Sequence, residues 1–269
     1  MVALDGVTRL GVLGWPVAHS RSPSMHNAAL HRVGLDGWRY QLLPVSPALF
    51  GEVVRALPAA GFAGANVTIP HKQAALELAD EATPRAAAIG AANTLVFVDG
   101  VFRADNTDAP ALINALPFSP GGRSAVVLGA GGSARAAVWA LLDAGAAEVR
   151  VWNRTPARAR GLGEQLGAIP VEEIGAADLL VNCTSIGLDS SESTFKQLPF
   201  MADELVRYDC VVDFVYRDPG TELVQAARER GVPVVDGFEL LVGQGALSFE
   251  SFTGHPAPVD AMRAAVRQK

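Results

Sequence analysis

An apolar run from Ala125 to Leu128 leads directly into Gly129-Ala130-Gly131-Gly132-Ser133-Ala134, and a second run, Glu148 to Trp152, ends in Asn153-Arg154-Thr155. Between them the pattern predicts a helix from Ser133 to Leu142. Strand, glycine turn, helix and second strand at this spacing form a βαβ unit, which commits the surrounding chain to a parallel, doubly wound sheet. Glycine at 129 permits a sharp turn, Gly131 lets backbone N–H groups approach a pyrophosphate, and Ala134 lets the helix lie close on the sheet. The helix N-terminus then faces the phosphates. About twenty residues further on, a carboxylate would bind a bare ribose, but Arg154 and Arg158 stand in that region instead. NADP(H) therefore fits better than NAD(H). A charge-assisted hydrogen bond is worth roughly 1.5–3 kcal/mol, so two arginines would favour the phosphorylated cofactor by about a hundredfold or more. The plainer alternatives are a structural turn at the glycines and a solvated arginine pair at the start of the helix after Pro156.

A chain of 269 residues, 49% hydrophobic, can bury one large core or two modest ones, and its length leans toward two domains. A net charge of −6 argues against nucleic-acid binding, which needs a basic stripe. Cys183 and Cys210 lack metal spacing and are too few for a disulfide framework, which points to a reduced compartment. The Met1–Gly6 stretch carries no basic segment, and no window holds about eighteen uninterrupted apolar residues. A cytoplasmic protein with no membrane partner, monomer or homodimer, is the expectation.

The first third alternates strand and helix signals at Arg9 to Gly14, Ser24 to Val33, Trp38 to Pro44, Pro47 to Leu57 and Gly64 to Ile69. Ser22-Pro23, Ser46-Pro47 and Thr83-Pro84 each read as a capping hydroxyl followed by proline at the first helical position. Thr94 to Val98 and Val101 to Ala104 form a hairpin-like pair across Asp99-Gly100. Pro117 to Gly122 is the clearest linker. Beyond the βαβ unit, strands are expected at Leu179 to Asn182, Val211 to Val215 and Val234 to Asp236, with a helix from Thr221 to Arg230. Apolar helices at Phe238 to Phe252 and Val259 to Arg267 are expected to return to the first domain.

Three polar clusters in the first third fall on strand ends and loops, where cleft-facing sites are built. In His19-Ser20-Arg21-Ser22-Pro23, two hydroxyls beside a helix N-terminus can donate to a carboxylate; a simple helix cap at Ser22 is the alternative. In Asn66-Val67-Thr68-Ile69-Pro70-His71-Lys72, alternation places Asn66 and Thr68 on one face, with Lys72 on the next turn. A lysine there can move a proton if its surroundings tune it, or be a surface charge. The third cluster is Ala91-Ala92-Asn93-Thr94 with Asp105-Asn106-Thr107-Asp108, where Asp108 could equally cap a helix before Pro110.

Together these clusters resemble the shikimate dehydrogenase family along nearly the whole chain. The resemblance is carried by Ser20-x-Ser22, Asn66-Val67-Thr68-x-Pro70-x-Lys72, Gly90-Ala91-x-Asn93-Thr94, Asn106-Thr107-Asp108, the GAGGSA loop, Asn153-Arg154-Thr155, Asn182-x-Thr184-Ser185-x-Gly187, Asp213-x-Val215-Tyr216 and Gly243-Gln244-Gly245-Ala246. It implies reversible reduction of 3-dehydroshikimate to shikimate with NADPH, and Lys72 and Asp108 as the catalytic pair. It places the substrate carboxylate on Ser20, Ser22 and Tyr216, the ring hydroxyls on Asn66, Asn93, Asp108 and Gln244, and Thr68 as a supporting contact. The cofactor falls to Gly129, Ala130, Gly131, Gly132, Ser133, Ala134, Asn153, Arg154, Thr155, Arg158, Thr184, Ser185 and Gly237. The implied fold is two α/β domains: a Rossmann-type NADP-binding domain, 108–239, and a discontinuous substrate-binding domain, 1–107 with 240–269, with the active site in the cleft between them.

Ala111, Leu188 and Leu240 depart from the family's usual residues, which puts nicotinamide fit in question. The rivals are a quinate/shikimate dehydrogenase preferring NAD, against which Ser22 and Arg154-Thr155 argue, and a silent NADP-binding regulator, against which Lys72 and Asp108 argue.

Overall fold

The computed structural model describes residues 6–189 and 193–267. Met1–Asp5, most of the N-terminal stretch considered above, lies outside the described residues. The chain divides into two compact units, Met1–Thr107 with Val242–Lys269, and Asp108–Leu241.

The first unit is built on β1 (Thr8–Gly14), α1 (Ser22–Arg32), β2 (Trp38–Pro44), α2 (Phe50–Ala56), β3 (Phe62–Val67), α3 (Lys72–Leu78), β4 (Glu81–Ala82), α4 (Pro84–Ile89), β5 (Thr94–Val98) and β6 (Val101–Asp105). Its sheet runs β2-β1-β3-β5-β6-β4. β1 pairs in parallel with β2 and β3, whereas β5 is antiparallel to both β3 and β6. The β5–β6 hairpin turns at Asp99 (φ 52°) and Gly100 (φ 82°), the two left-handed residues that match the twist of a two-residue hairpin. One apolar core joins Leu13, Val67 and Leu95 of the sheet to Phe50 and Val54 of α2 and Ala75 of α3.

The second unit contains α5 (Asp108–Ala115), β7 (Ser124–Leu128), α6 (Gly132–Asp143), β8 (Glu148–Trp152), α7 (Pro156–Leu166), β9 (Ile169–Pro170), β10 (Leu179–Asn182), β11 (Cys210–Asp213), α8 (Glu222–Glu229) and β12 (Val234–Val235). All its strand pairs are parallel, in the order β12-β11-β10-β7-β8-β9. Alternate residues of the strands serve opposite faces. Val127, Val181 and Val212 pack with α5, α6 and α7, while Val126, Leu180 and Val211 pack with α8. Burial of both faces explains why these strands read as unbroken apolar runs. The unit boundary falls within α9 (Gly237–Thr253), and α10 (Val259–Arg267) packs against α1 in the first unit.

Several local expectations are corrected. Ser22 does not cap α1: the cap position is Arg21, in a helical conformation with no side-chain cap bond, and Ser22 is the first helical residue. Ser46 likewise makes no cap bond, and the helix expected from Pro47 opens as a short 3-10 turn, Pro47–Leu49, before α2. Thr83 does cap α4, accepting from the Ala86 N–H at 3.2 Å. Asp108 lies inside α5 as its first residue. β11 ends at Asp213 rather than continuing to Val215, because the Asp213 carboxylate takes the Val215 N–H at 3.0 Å.

Candidate functional site

In the second unit the polar residues follow one row across the sheet. Leu128 is in register with Trp152 on β8 and Asn182 on β10, and Asn182 with Asp213 on β11. Gly129, Asn153, Thr184 and Tyr216 all lie just beyond this row, on the carboxyl edge of a parallel sheet. The chain leaves β7 for β8 on one side, while β10 pairs with β7 on the other. That reversal is the switch point where such sheets bind ligands.

Gly129 has φ +108°, and a Cβ there would stand 3.2 Å from the Cys183 carbonyl group, so only glycine fits. Beyond Ala130, a Cβ on Gly131 would meet nothing, which leaves a cradle at the start of α6. No side chain caps α6 and no acidic residue occupies its first turn, which comprises Gly132, Ser133 and buried Ala134. Backbone N–H groups and a positive dipole end suit a pyrophosphate there. At the end of β8, Asn153 Nδ2 donates to the Thr155 carbonyl at 3.0 Å, shaping the turn into α7. Arg154 and Arg158 are exposed, and neither guanidinium has a partner among the described residues. Ser185 is exposed beside Thr184. Gly237 opens α9, and a Cβ on it would fall 2.5 Å from the Val215 carbonyl carbon, so backbone packing accounts for this glycine. Tyr216 lies against Phe238, ring centroids 5.7 Å apart.

In the first unit, the sequence-separated amides come together. Asn66 on β3 is buried; its Oδ1 accepts from Tyr40 Oη at 2.8 Å and Ser248 Oγ at 3.4 Å, and its Nδ2 donates to the Asn93 carbonyl and Thr94 Oγ1, both at 3.2 Å. Tyr40 is itself stacked on His26, centroids 4.2 Å apart, an imidazole that burial pushes down to about 3 and so keeps neutral. Asn93 Nδ2 donates to Thr107 Oγ1 at 2.9 Å and to Gln244 Oε1 at 3.4 Å. Ser20 Oγ accepts from the Ser22 N–H at 3.3 Å. The Thr68 backbone is held by the Leu13 carbonyl, next to β1.

Lys72 is the first residue of α3 and only 8% exposed. Its carbonyl accepts from the Ala92 N–H at 2.8 Å, one residue before Asn93. The preceding His71 is pinned by an Nε2 contact of 2.7 Å to the Val45 carbonyl and by stacking on Phe50. Asp108, 6% exposed, follows Thr107 directly in the chain.

Comparison with known proteins covers three stretches of the chain. A family model described as the shikimate dehydrogenase substrate binding domain matches residues 12–95, one described as shikimate/quinate 5-dehydrogenase matches 117–187, and one described as the shikimate 5'-dehydrogenase C-terminal domain matches 237–267. The shikimate dehydrogenase (NADP(+)) of Paracoccus denitrificans is 44% identical, over 93% of this chain and 92% of its own length. The chain belongs to the shikimate dehydrogenase family. Another member, from Anaeromyxobacter sp., is 44% identical over 99% of this chain and 98% of its own. The crystal structure of shikimate 5-dehydrogenase from Thermus thermophilus, in complex with NADP(H) and shikimate, superimposes with a TM-score of 0.86 at 40% identity, covering 97% of this chain and 99% of that one.

Within this family frame, Leu240 is a buried member of the second unit's apolar core, so its departure from the usual residue is one of packing; Leu188 is exposed, and Ala111 is buried on α5. Sequence reasoning did not find Tyr40 or Ser248 as partners of Asn66, nor a role for Asp213. Tyr40 is the one buried residue of β2, but Leu42 two residues on is exposed, so no alternation in the sequence singles it out.

Proposed function

We propose that this enzyme interconverts shikimate and 3-dehydroshikimate with NADP as cofactor. The observation that carries the reading is the network around Lys72. Its carbonyl is tied to Ala92, the adjacent Asn93 holds Thr107, and Asp108 is the next residue along the chain. A buried lysine and a buried aspartate placed at the starts of two helices are costly as structure alone and useful as a proton-handling pair.

The cofactor would be held by the Gly129–Ala134 turn and the N-terminus of α6, with Arg154, Thr155 and Arg158 at the 2′-phosphate and Asn153, Thr184, Ser185 and Gly237 along the remainder. When bound, it supplies or takes up the hydride. Lys72 Nζ delivers a proton to the oxygen at ring C3 on reduction and holds it on oxidation, stabilising the charge that develops there. Asp108 orients Lys72 and accepts a hydrogen bond from a ring hydroxyl. Ser20, Ser22 and Tyr216 donate to the carboxylate, while Asn93 and Gln244 bind hydroxyls, with Asn66 and Thr68 beside them. A site of this kind rejects analogues lacking a hydroxyl by roughly 10⁴-fold, since its buried polar groups go unpaired. Neither nucleic acid nor membrane is a partner in this reading, and the protein acts in the cytoplasm as a monomer or homodimer. Among the described residues no helix is long and apolar enough to cross a membrane.

Reduced-nicotinamide absorbance with shikimate, quinate and simpler ring acids, each with NADP+ and NAD+, tests the assignment. Shikimate with NADP+ should give the largest kcat/KM. Comparable turnover of quinate with NAD+ would favour the quinate/shikimate rival, and no ring-acid-dependent signal would point to a regulator.

A further inference from the structure

Asn182 and Asp213 stand opposite each other in the register of β10 and β11, and both are fully buried at the ends of otherwise apolar strands. A carboxylate so placed loses its hydration and persists only where donors replace it. Asn182 Nδ2 donates to Asp213 Oδ1 at 2.9 Å, the Val215 N–H donates to the same oxygen at 3.0 Å, and Thr221 Oγ1 donates to Oδ2 at 2.5 Å.

These bonds have consequences on both sides. Toward β10, Nδ2 of Asn182 must face the carboxylate, so its Oδ1 is turned to Thr184 and accepts from the Thr184 N–H at 3.1 Å and Oγ1 at 2.7 Å. Thr184 Oγ1 accepts in turn from the Ile186 N–H at 3.1 Å, closing the turn that carries Ser185. Toward β11, the bond to Val215 sets the backbone immediately before Tyr216, and Thr221 caps α8 by accepting from the Val224 N–H at 3.2 Å. The two segments touch at Gly187, where a Cβ would lie 3.3 Å from Thr221 Cβ.

We propose that Asp213 is a positioning residue: one buried carboxylate sets both the Thr184–Ser185 turn and the Val215–Tyr216 segment, so that a cofactor contact and a substrate contact are held by the same group. This rests on the assignment of Thr184, Ser185 and Tyr216 as ligand contacts. Asp213→Leu removes every acceptor and leaves Asn182 Nδ2 only its longer bond to the Ile186 carbonyl, 3.3 Å against 2.9 Å to Asp213. Asp213→Asn keeps an oxygen for Asn182 and Val215, and its own N–H can be accepted by Thr221 Oγ1.

The test is an NADPH fluorescence titration beside steady-state kinetics, on full-length protein at a temperature where circular dichroism shows each variant folded. Asp213→Leu should weaken NADPH binding and raise the shikimate KM, each on the order of tenfold, whereas Asp213→Asn stays within about threefold of the parent. Asn182→Leu keeps the Val215 and Thr221 bonds to Asp213 and cuts only the arm toward Thr184, so it should weaken NADPH binding severalfold while leaving the shikimate KM unchanged. It decides the matter if Asp213→Leu does not fold. Folded variants that keep parental NADPH affinity and KM, and lose only thermal stability, would overturn the proposal. The titration needs no ring acid, so a parent that binds NADPH without oxidising shikimate would defeat the assigned reaction separately from the role of Asp213.

Discussion

The Asn93 side chain holds both the backbone and the hydroxyl of Thr107: Nδ2 donates to Thr107 Oγ1 at 2.9 Å, and Oδ1 accepts the Thr107 N–H at 2.8 Å and lies 3.2 Å from Oγ1. Both residues are buried, so water cannot replace either bond. The last residue of the first unit before Asp108 is therefore fastened to the strand-end amide proposed to bind substrate. Asn93→Ala should leave the Thr107 N–H without an acceptor, costing about 1–3 kcal/mol of stability. It should also lower kcat/KM by about a hundredfold or more, with NADPH binding retained. Parental kcat/KM in the folded variant would show that Asn93 serves neither substrate nor Asp108.

Lys72→Ala removes the proposed proton carrier but no residue of the glycine turn. Turnover should fall by about 10²–10⁴-fold, the usual worth of a positioned acid or base, with NADPH affinity nearly unchanged. Normal turnover would take Lys72 out of the mechanism.

Arg154 and Arg158 are exposed and lack partners among the described residues, so their removal disturbs little of the fold. In Arg154→Ala/Arg158→Ala the KM for NADP+ should rise by about a hundredfold while that for NAD+ hardly changes. If the parent already uses both cofactors equally, the two arginines do not select the phosphate.

Burial pushes the Asp213 carboxyl up from 3.8 to about 6, against hydrogen bonds from Thr221, Val215 and Asn182, with the Asp236 charge adding to the rise. The folded state thus holds this proton more tightly than the unfolded chain does. Its contribution to stability is complete below the unfolded value of 3.8 and is lost as pH rises through about 6, a change of about 3 kcal/mol. Asp105 and Asp178 are shifted down, the former by the Arg85 and Thr83 bonds that outweigh its burial and the latter by bonds from Ser124; they titrate oppositely but alike in parent and variant. Thermal midpoints of the parent relative to Asp213→Asn should therefore decline between about pH 4 and pH 7. A constant difference across that range would contradict a raised Asp213.

Much of the second unit was legible because its strands and glycine turn are local patterns. Leu179 to Asn182 and Val259 to Arg267 have the expected bounds, and the Asp99-Gly100 turn forms the expected hairpin. Element ends were less legible: at Ser22 the backbone of Arg21 is already helical, and at Asp213 a side chain takes the donor that would extend the strand. For the site, the sequence supplied residue types at the right offsets but not their commitments. Asn66 reads as a substrate ligand, yet its amide is engaged by Tyr40, Ser248, Asn93 and Thr94.

The sequence by itself determined the βαβ turn, its apolar strands and the positive charge after β8, since each depends on residues within a few turns of one another. Only the tertiary structure decided that Asn66 meets Tyr40, that Asn93 holds Thr107, and that Asp213 anchors both Asn182 and Thr221. Those bonds depend on register: Asn66 stands opposite Thr94, and Asn182 opposite Asp213, only once strands far apart in the chain are aligned. A one-residue slip would turn the same side chains to the opposite face of their sheet.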